Sequence, residues 1–159
     1  MYYKNFLKHR VCLLERRAAD NTLWIKVSDN HSRNRDIYFC SLYNRLPIEK
    51  FATERASFYN NLESDLTKHA NMGDIYLCGD FNVRLKSVGD KNPNTVATAE
   101  FEGSSLSTLT NLNAIHTFGI PTYRNLTQRT GIGESIIDLA LTNTPENVTN
   151  FEIHSHHQD

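Results

Sequence analysis

The stretch DIYLCGDFNVRL, residues 74–85, sets an acid and an amide, Asp80 and Asn82, two residues apart just after an apolar run ends at Gly79. In extended backbone alternate side chains share a face, so the two would project together. A carboxylate can orient or deprotonate a water, and an amide N–H can hold a phosphate oxygen. The competing reading is an Asx-type turn in which both side chains bond the neighbouring backbone. Taken alone, the tetrapeptide GDFN favours the turn.

Other residues invite the same question. Asp138 interrupts the apolar run of SIIDLALTN, residues 135–143, and a buried carboxylate is costly unless it is paired or hydrogen-bonded. It reads either as half of a structural ion pair or as the acid that fixes the tautomer of a histidine. Tyr43 closes DIYFCSLY, residues 36–43, either as a half-buried packing residue or with its hydroxyl reaching a phosphate at the sheet edge. His154, His156 and His157 suggest metal, but no second Cys/His cluster stands at zinc-like spacing, and they read as a solvated tail. The motifs GxSxG, GxGxxG, HExxH and the P-loop are missing.

The elements that must position these residues follow from periodicity. VCLL and TLWIKV read as strands joined by the polar RRAADN, and the β-branched and aromatic DIYFCSLY as a third. Pro47 fits a loop entering a helix over about Ile48 to Asn71, with Phe51, Phe58, Leu62 and Leu66 on one face. Asp65, Lys68 and the other charged residues fall around the remaining faces. Gly73 offers a left-handed stop before the DIYLC strand, giving a βαβ-like unit. A polar loop at 83–98, a second helix over roughly Ala99 to Leu112, a strand at SIIDLALTN and a last one around VTNFEIH, residues 148–154, complete the pattern. Such alternation points to an α/β layered sandwich.

Bulk properties narrow the classes. At 159 residues the chain is one domain or a piece of one, 39% hydrophobic, with a net charge of −1. That balance argues against a module that binds nucleic acid through a global basic field. Cys12, Cys40 and Cys78 form no CxxC and read as three buried thiols in a reducing compartment. Asn-x-Ser/Thr at Asn30, Asn125 and Asn147 reads as chance in an Asn-rich chain without a signal peptide. No apolar run is long enough to span a membrane, and an intracellular protein is expected.

Taken in order, CSLY with a proline soon after, LCGDFN, PTY and IIDLALTN resemble the endonuclease/exonuclease/phosphatase superfamily, in particular the endonuclease domains of LINE-type retrotransposons. The resemblance implies a four-layer α/β/β/α sandwich of the DNase I-like kind. Residues 1–159 would form a partial domain, lacking the first strands and the last motif. It implies Mg²⁺-dependent hydrolysis of a phosphodiester in DNA, leaving a nick, in a nuclear or cytoplasmic protein whose intact element also carries a reverse transcriptase domain. By the same resemblance Asp80 handles the attacking water, Asn82 holds the phosphate and developing oxyanion, and Tyr43 contacts the scissile phosphate. Asp138 orients the catalytic histidine, while Thr122 and Tyr123 line the substrate groove. The family's early Asn and Glu, the latter its main Mg²⁺ ligand, and its closing Ser-Asp-His have no match here, so the chain is expected to be inactive as written. Two alternatives stay open: an enzyme of the superfamily acting on another phosphoester, and a non-catalytic remnant that binds nucleic acid.

Overall fold

A computed structural model describes residues 10–17, 21–28, 35–44, 52–85, 113–114, 123–124 and 134–150. Strands β1 (Val11–Arg17) and β2 (Thr22–Val27) pair antiparallel, with a register shift between Leu13 and Glu15 that inserts Leu14 as a bulge. β2 pairs antiparallel with β3 (Asp36–Tyr43). Helix α1 (Ala52–Ala70) then carries the chain over to β4 (Gly73–Asp80), which lies parallel to β3. The expected βαβ unit is therefore present. β5 (Asn113–Ala114) and β8 (Asp138–Thr142) finish a six-stranded sheet of order β1-β2-β3-β4-β8-β5, and β6 (Tyr123–Arg124) pairs with β7 (Glu134–Ser135) in a second, two-stranded sheet.

Period-two alternation decides which side of the large sheet is covered. Trp24, Tyr38, Cys40, Leu42, Ile75, Leu77, Leu139 and Leu141 are buried and form one core with Phe58, Tyr59, Leu62 and Leu66 of α1. Phe58, Leu62 and Leu66 recur at four-residue spacing, which keeps them on one helix face. Two polar residues share that face. Asp65 and His69 are buried, and the His69 ring stacks on Tyr38 with centroids 4.6 Å apart. Periodicity puts Asp65 off the apolar face, and the buried stripe is wider than the apolar spacing alone indicates. Phe51 and the second helix expected at 99–112 lie outside the described residues.

Across β4 and β8 the ladder continues beyond its last residue pair through side chains. Thr142 donates its hydroxyl to the Ile75 carbonyl at 2.7 Å, and the Asn143 side-chain oxygen accepts the Ile75 N–H at 2.7 Å. These bonds satisfy backbone groups on a fully buried residue, which would otherwise be expensive to leave unpaired. SIIDLALTN is not one continuous strand, because Ser135 belongs to β7 and the large sheet takes up the chain only at Asp138. Val148 to Asn150 are not in a strand and follow a short 3₁₀ turn at Pro145–Asn147; the rest of the expected VTNFEIH strand lies outside the described residues.

Gly73 also departs from expectation. It is the first residue of β4 rather than a left-handed helix stop, and a Cβ there would lie 2.0 Å from the Asp36 carbonyl oxygen. Close approach of β3, not a positive φ, is what requires glycine.

The thiols divide as well. Cys40 is buried, but Cys12 and Cys78 are exposed, which corrects the reading of three buried cysteines. Burial, followed by the nearby Asp65 charge, raises the Cys40 thiol far above its ordinary value, and partial desolvation raises Cys78. Since the thiolate is the reactive form, iodoacetamide at neutral pH should label Cys12 fastest, Cys78 more slowly and Cys40 not at all until the chain unfolds. Peptide mass spectrometry over a time course reads all three; early labelling of Cys40 would contradict the core described above.

Candidate active site

Strand register brings three of the expected site residues into one row. Tyr43 of β3 is the partner of Asp80 of β4, and Asp80 is in turn the partner of Asp138 of β8. Cross-strand partners share a face, so the three stand side by side on the side of the sheet away from α1. Tyr43 is 47% exposed, Asp80 is half-buried and Asp138 is exposed. The expectation that Asp138 is a buried acid is therefore wrong. It is the first residue of β8, at the rim of the sheet, and the strand residues that follow it are buried.

Asp80 and Asn82 do not share a face by strand alternation. Asn82 has a left-handed backbone, φ 51°, and the chain leaves the strand at Phe81. Asparagine tolerates that region better than most residues do. One Asp80 carboxylate oxygen accepts the Asn82 backbone N–H at 2.8 Å, the Asx-type bond that competed with the functional reading. Turn and site are thus the same structure: the bond that makes the turn also fixes one oxygen of the carboxylate.

Gly79 answers why the strand ends as it does. Its φ is +149°, and a Cβ would fall 2.0 Å from the Leu42 carbonyl oxygen on the neighbouring strand. Only glycine combines that backbone with that approach. The strand is thereby held against β3 one residue before the carboxylate.

Electrostatics at Asp80 follow from the row. Burial raises its carboxyl above the ordinary value of 3.8, the Asn82 N–H opposes that shift by favouring the ionised form, and the Asp138 charge adds to the rise. A carboxylate poised in this way holds its proton more readily than an exposed aspartate, which suits a group that must accept a proton from water.

Asn44 directly follows β3, and no motif in the sequence marks it. It is 1% exposed and bonded to every residue of the Asp80-Phe81-Asn82 turn. Its backbone N–H donates to the Asp80 carbonyl at 2.7 Å, and its side-chain amide donates to the Phe81 carbonyl at 2.9 Å. Its own carbonyl accepts the Asn82 side-chain amide at 2.5 Å. The same Asn44 amide reaches the Tyr59 hydroxyl of α1 at 3.1 Å. No local sequence signal could have announced this, since every partner but Tyr59 lies on the far side of α1 in the chain.

Thr122 lies outside the described residues, as do His154, His156 and His157, and for Tyr123 only its place at the start of β6 is described. Among the described residues no group of three His, Cys, Asp or Glu side chains converges to hold a metal ion. Asp80 and Asp138 are adjacent carboxylates, but one Asp80 oxygen is already engaged by the Asn82 N–H. The described residues therefore do not fit a complete Mg²⁺ ligand set. Among them, too, no helix is long and apolar enough to cross a membrane.

Comparison with known proteins gives this corner a context. None of the curated proteins matches the chain significantly. Among solved structures, the endonuclease domain of TRAS1, a telomere-specific non-LTR retrotransposon, superposes with a TM-score of 0.61 at 14% identity, over 84% of this chain and 56% of that one. A humanized D. rerio TDP2 superposes with a TM-score of 0.53 at 11% identity, over 85% of this chain and 53% of its own. The 3′ phosphatase NExo from Neisseria, bound to product DNA hairpin, gives 0.51 at 17% identity, over 77% and 51%. The chain spans about half the length of each, and at these identities the likeness establishes a shared, incomplete DNase I-like α/β fold. The family model described as Endonuclease-reverse transcriptase matches residues 37–159, a span that runs from β3 through β4 and β8 and holds the whole Tyr43–Asp80–Asp138 row. The chain accordingly belongs to that family, within the endonuclease/exonuclease/phosphatase superfamily.

Proposed function

We propose that this chain is part of a metal-dependent endonuclease of retrotransposon type that hydrolyses a phosphodiester in DNA and leaves a nick. The observation that carries the reading is the row Tyr43–Asp80–Asp138 where β3 and β4 end and β8 begins, with Asn82 beside it. Ionised Asp80 orients the attacking water and accepts its proton. One N–H of the Asn82 amide is committed to Asn44, and the other is the donor for a phosphate oxygen as charge builds on it. The exposed Tyr43 hydroxyl donates to the same phosphate. Asp138 orients a histidine, and Thr122 and Tyr123 line the groove that receives DNA. Mg²⁺, when bound, would neutralise charge on the phosphate.

The chain covers only about half of its structural relatives. We take the main Mg²⁺ ligand and the closing histidine to come from flanking sequence, and a reverse transcriptase domain to accompany them in the intact element. Supercoiled-plasmid nicking in Mg²⁺, run with the 159-residue chain and with longer forms of the same reading frame, tests both statements. Nicking by the longer forms alone is expected. Asp80-dependent nicking by the shorter chain would overturn the dependence on flanking sequence. Release of phosphate from a 3′-phosphorylated DNA end without nicking would replace endonuclease by phosphatase chemistry, and DNA binding without either would leave the non-catalytic remnant.

A further inference from the structure

We propose that Asn44 is a positioning residue of this site, a side chain from outside the Asp80-Phe81-Asn82 turn that holds it in its working conformation and ties it to α1. The proposal rests on the functional reading above for its catalytic consequence, but not for its structural one.

The turn is held in part by a bond of its own and by the Phe81 N–H on the Ile137 carbonyl. Asn82 occupies a left-handed conformation, which for a residue other than glycine persists only where surrounding contacts impose it. Within the turn one bond does so, from the Asn82 N–H to the Asp80 carboxylate, and that acceptor is the group that must change protonation during reaction. A carboxylate that has taken up a proton is a poorer acceptor for that N–H. A second set of bonds that does not titrate is needed to keep Asn82 in place through the cycle, and Asn44 supplies it. Its backbone N–H and carbonyl meet Asp80 and Asn82, but they can do so only while the Asn44 backbone is itself fixed. The side chain fixes it, through one amide nitrogen bonded to the Phe81 carbonyl at 2.9 Å and to the Tyr59 hydroxyl at 3.1 Å.

Chemistry assigns the amide orientations. The Phe81 and Asn44 carbonyls can only accept, so the groups facing them are the NH₂ ends of Asn44 and Asn82. An aspartate at position 44 would have the same shape, no donor for Phe81 and a charge beside Asp80. The backbone anchor on the far side is independent of Asn44, because the Phe81 N–H donates to the Ile137 carbonyl at 2.8 Å.

Amide hydrogen exchange on the isotopically labelled 159-residue chain tests the tether without reference to activity. In Asn44→Asp the Asn82 amide should exchange at least ~10-fold faster, while Leu77 and Cys40 in the centre of the sheet keep wild-type protection. Should that variant not fold, Tyr59→Phe keeps the packing and removes only the hydroxyl, and it should show the same local pattern with a smaller amplitude. Unchanged exchange at Asn82 in a folded variant, or equal acceleration throughout α1 and β4, would overturn the proposal. In a form of the enzyme that nicks DNA, Asn44→Asp should lower kcat about 10- to 100-fold with KM near wild type, since the phosphate and water handlers are displaced rather than removed. A rise in KM alone would overturn the catalytic part. Absence of nicking in every wild-type form would defeat the functional reading and leave the exchange result to decide the tether.

Discussion

In a longer form that nicks DNA, Asp80→Asn is expected to lower nicking by about 10²–10⁴-fold and, in the 159-residue chain, to raise stability at neutral pH. The two effects share one cause. Burial, and after it the charge of Asp138, hold the Asp80 carboxyl above its ordinary value of 3.8 even against the favourable Asn82 N–H. A carboxyl whose pKa is higher in the folded than in the unfolded chain binds its proton more tightly when folded. Its contribution to stability is then complete below the ordinary value and is lost as pH rises through the folded one. At pH 7 the ionised group therefore opposes folding. Asparagine keeps an oxygen to accept the Asn82 N–H, removes the charge and cannot take a proton from water. Thermal melts at pH 7 should place the variant above wild type, with the gap closing as pH falls below the ordinary carboxylate range. A variant that loses both activity and stability would make Asp80 a structural residue.

Gly79→Val is expected to destabilise the chain by about 3–5 kcal/mol, combining strain at an unfavourable φ with a steric clash in a packed sheet. The backbone at φ +149° is one that residues with a side chain rarely adopt, and the Leu42 carbonyl stands 2.0 Å from where a Cβ would be. Relief would require β3 and β4 to separate, in the middle of the six-stranded sheet. Alanine meets the same obstacle, because the offending atom is Cβ itself, and should be nearly as damaging. Cys78→Ala, one residue earlier and exposed, is the control and should change stability by less than about 1 kcal/mol. Urea denaturation midpoints give the comparison; near-equal midpoints for Gly79→Val and Cys78→Ala would refute it.

Much of the framework was legible because periodicity and propensity agreed. DIYFCSLY became β3 over the same eight residues, and the four-residue spacing of Phe58, Leu62 and Leu66 located the core face of α1. Five of the expected site residues fall within described structure, and three of them stand in a single cross-strand row. Where reading along the chain failed, the deciding contact came from another strand. Asp138 looked buried because its sequence neighbours are apolar, but burial depends on how far the sheet extends beyond a residue, and β8 begins there. Asn82 looked like the next strand position because nothing local reveals that β4 has already ended. Cys78 sits in an apolar run and faces the open side of the sheet. Asn44 was invisible for the same reason in stronger form, since all but one of its partners lie beyond the crossover helix.

That β4 has a parallel neighbour on one side and an antiparallel one on the other bears on the order in which the protein can assemble. Tyr43 and Asp80 meet once α1 has formed and closed the β3–β4 crossover, whereas Asp138 arrives only after the long intervening segment has looped back. Loop closure must be met before such non-local contacts reward it. The Tyr43–Asp80 half of the row can therefore form before its third member, and the row is complete only when β8 joins the sheet.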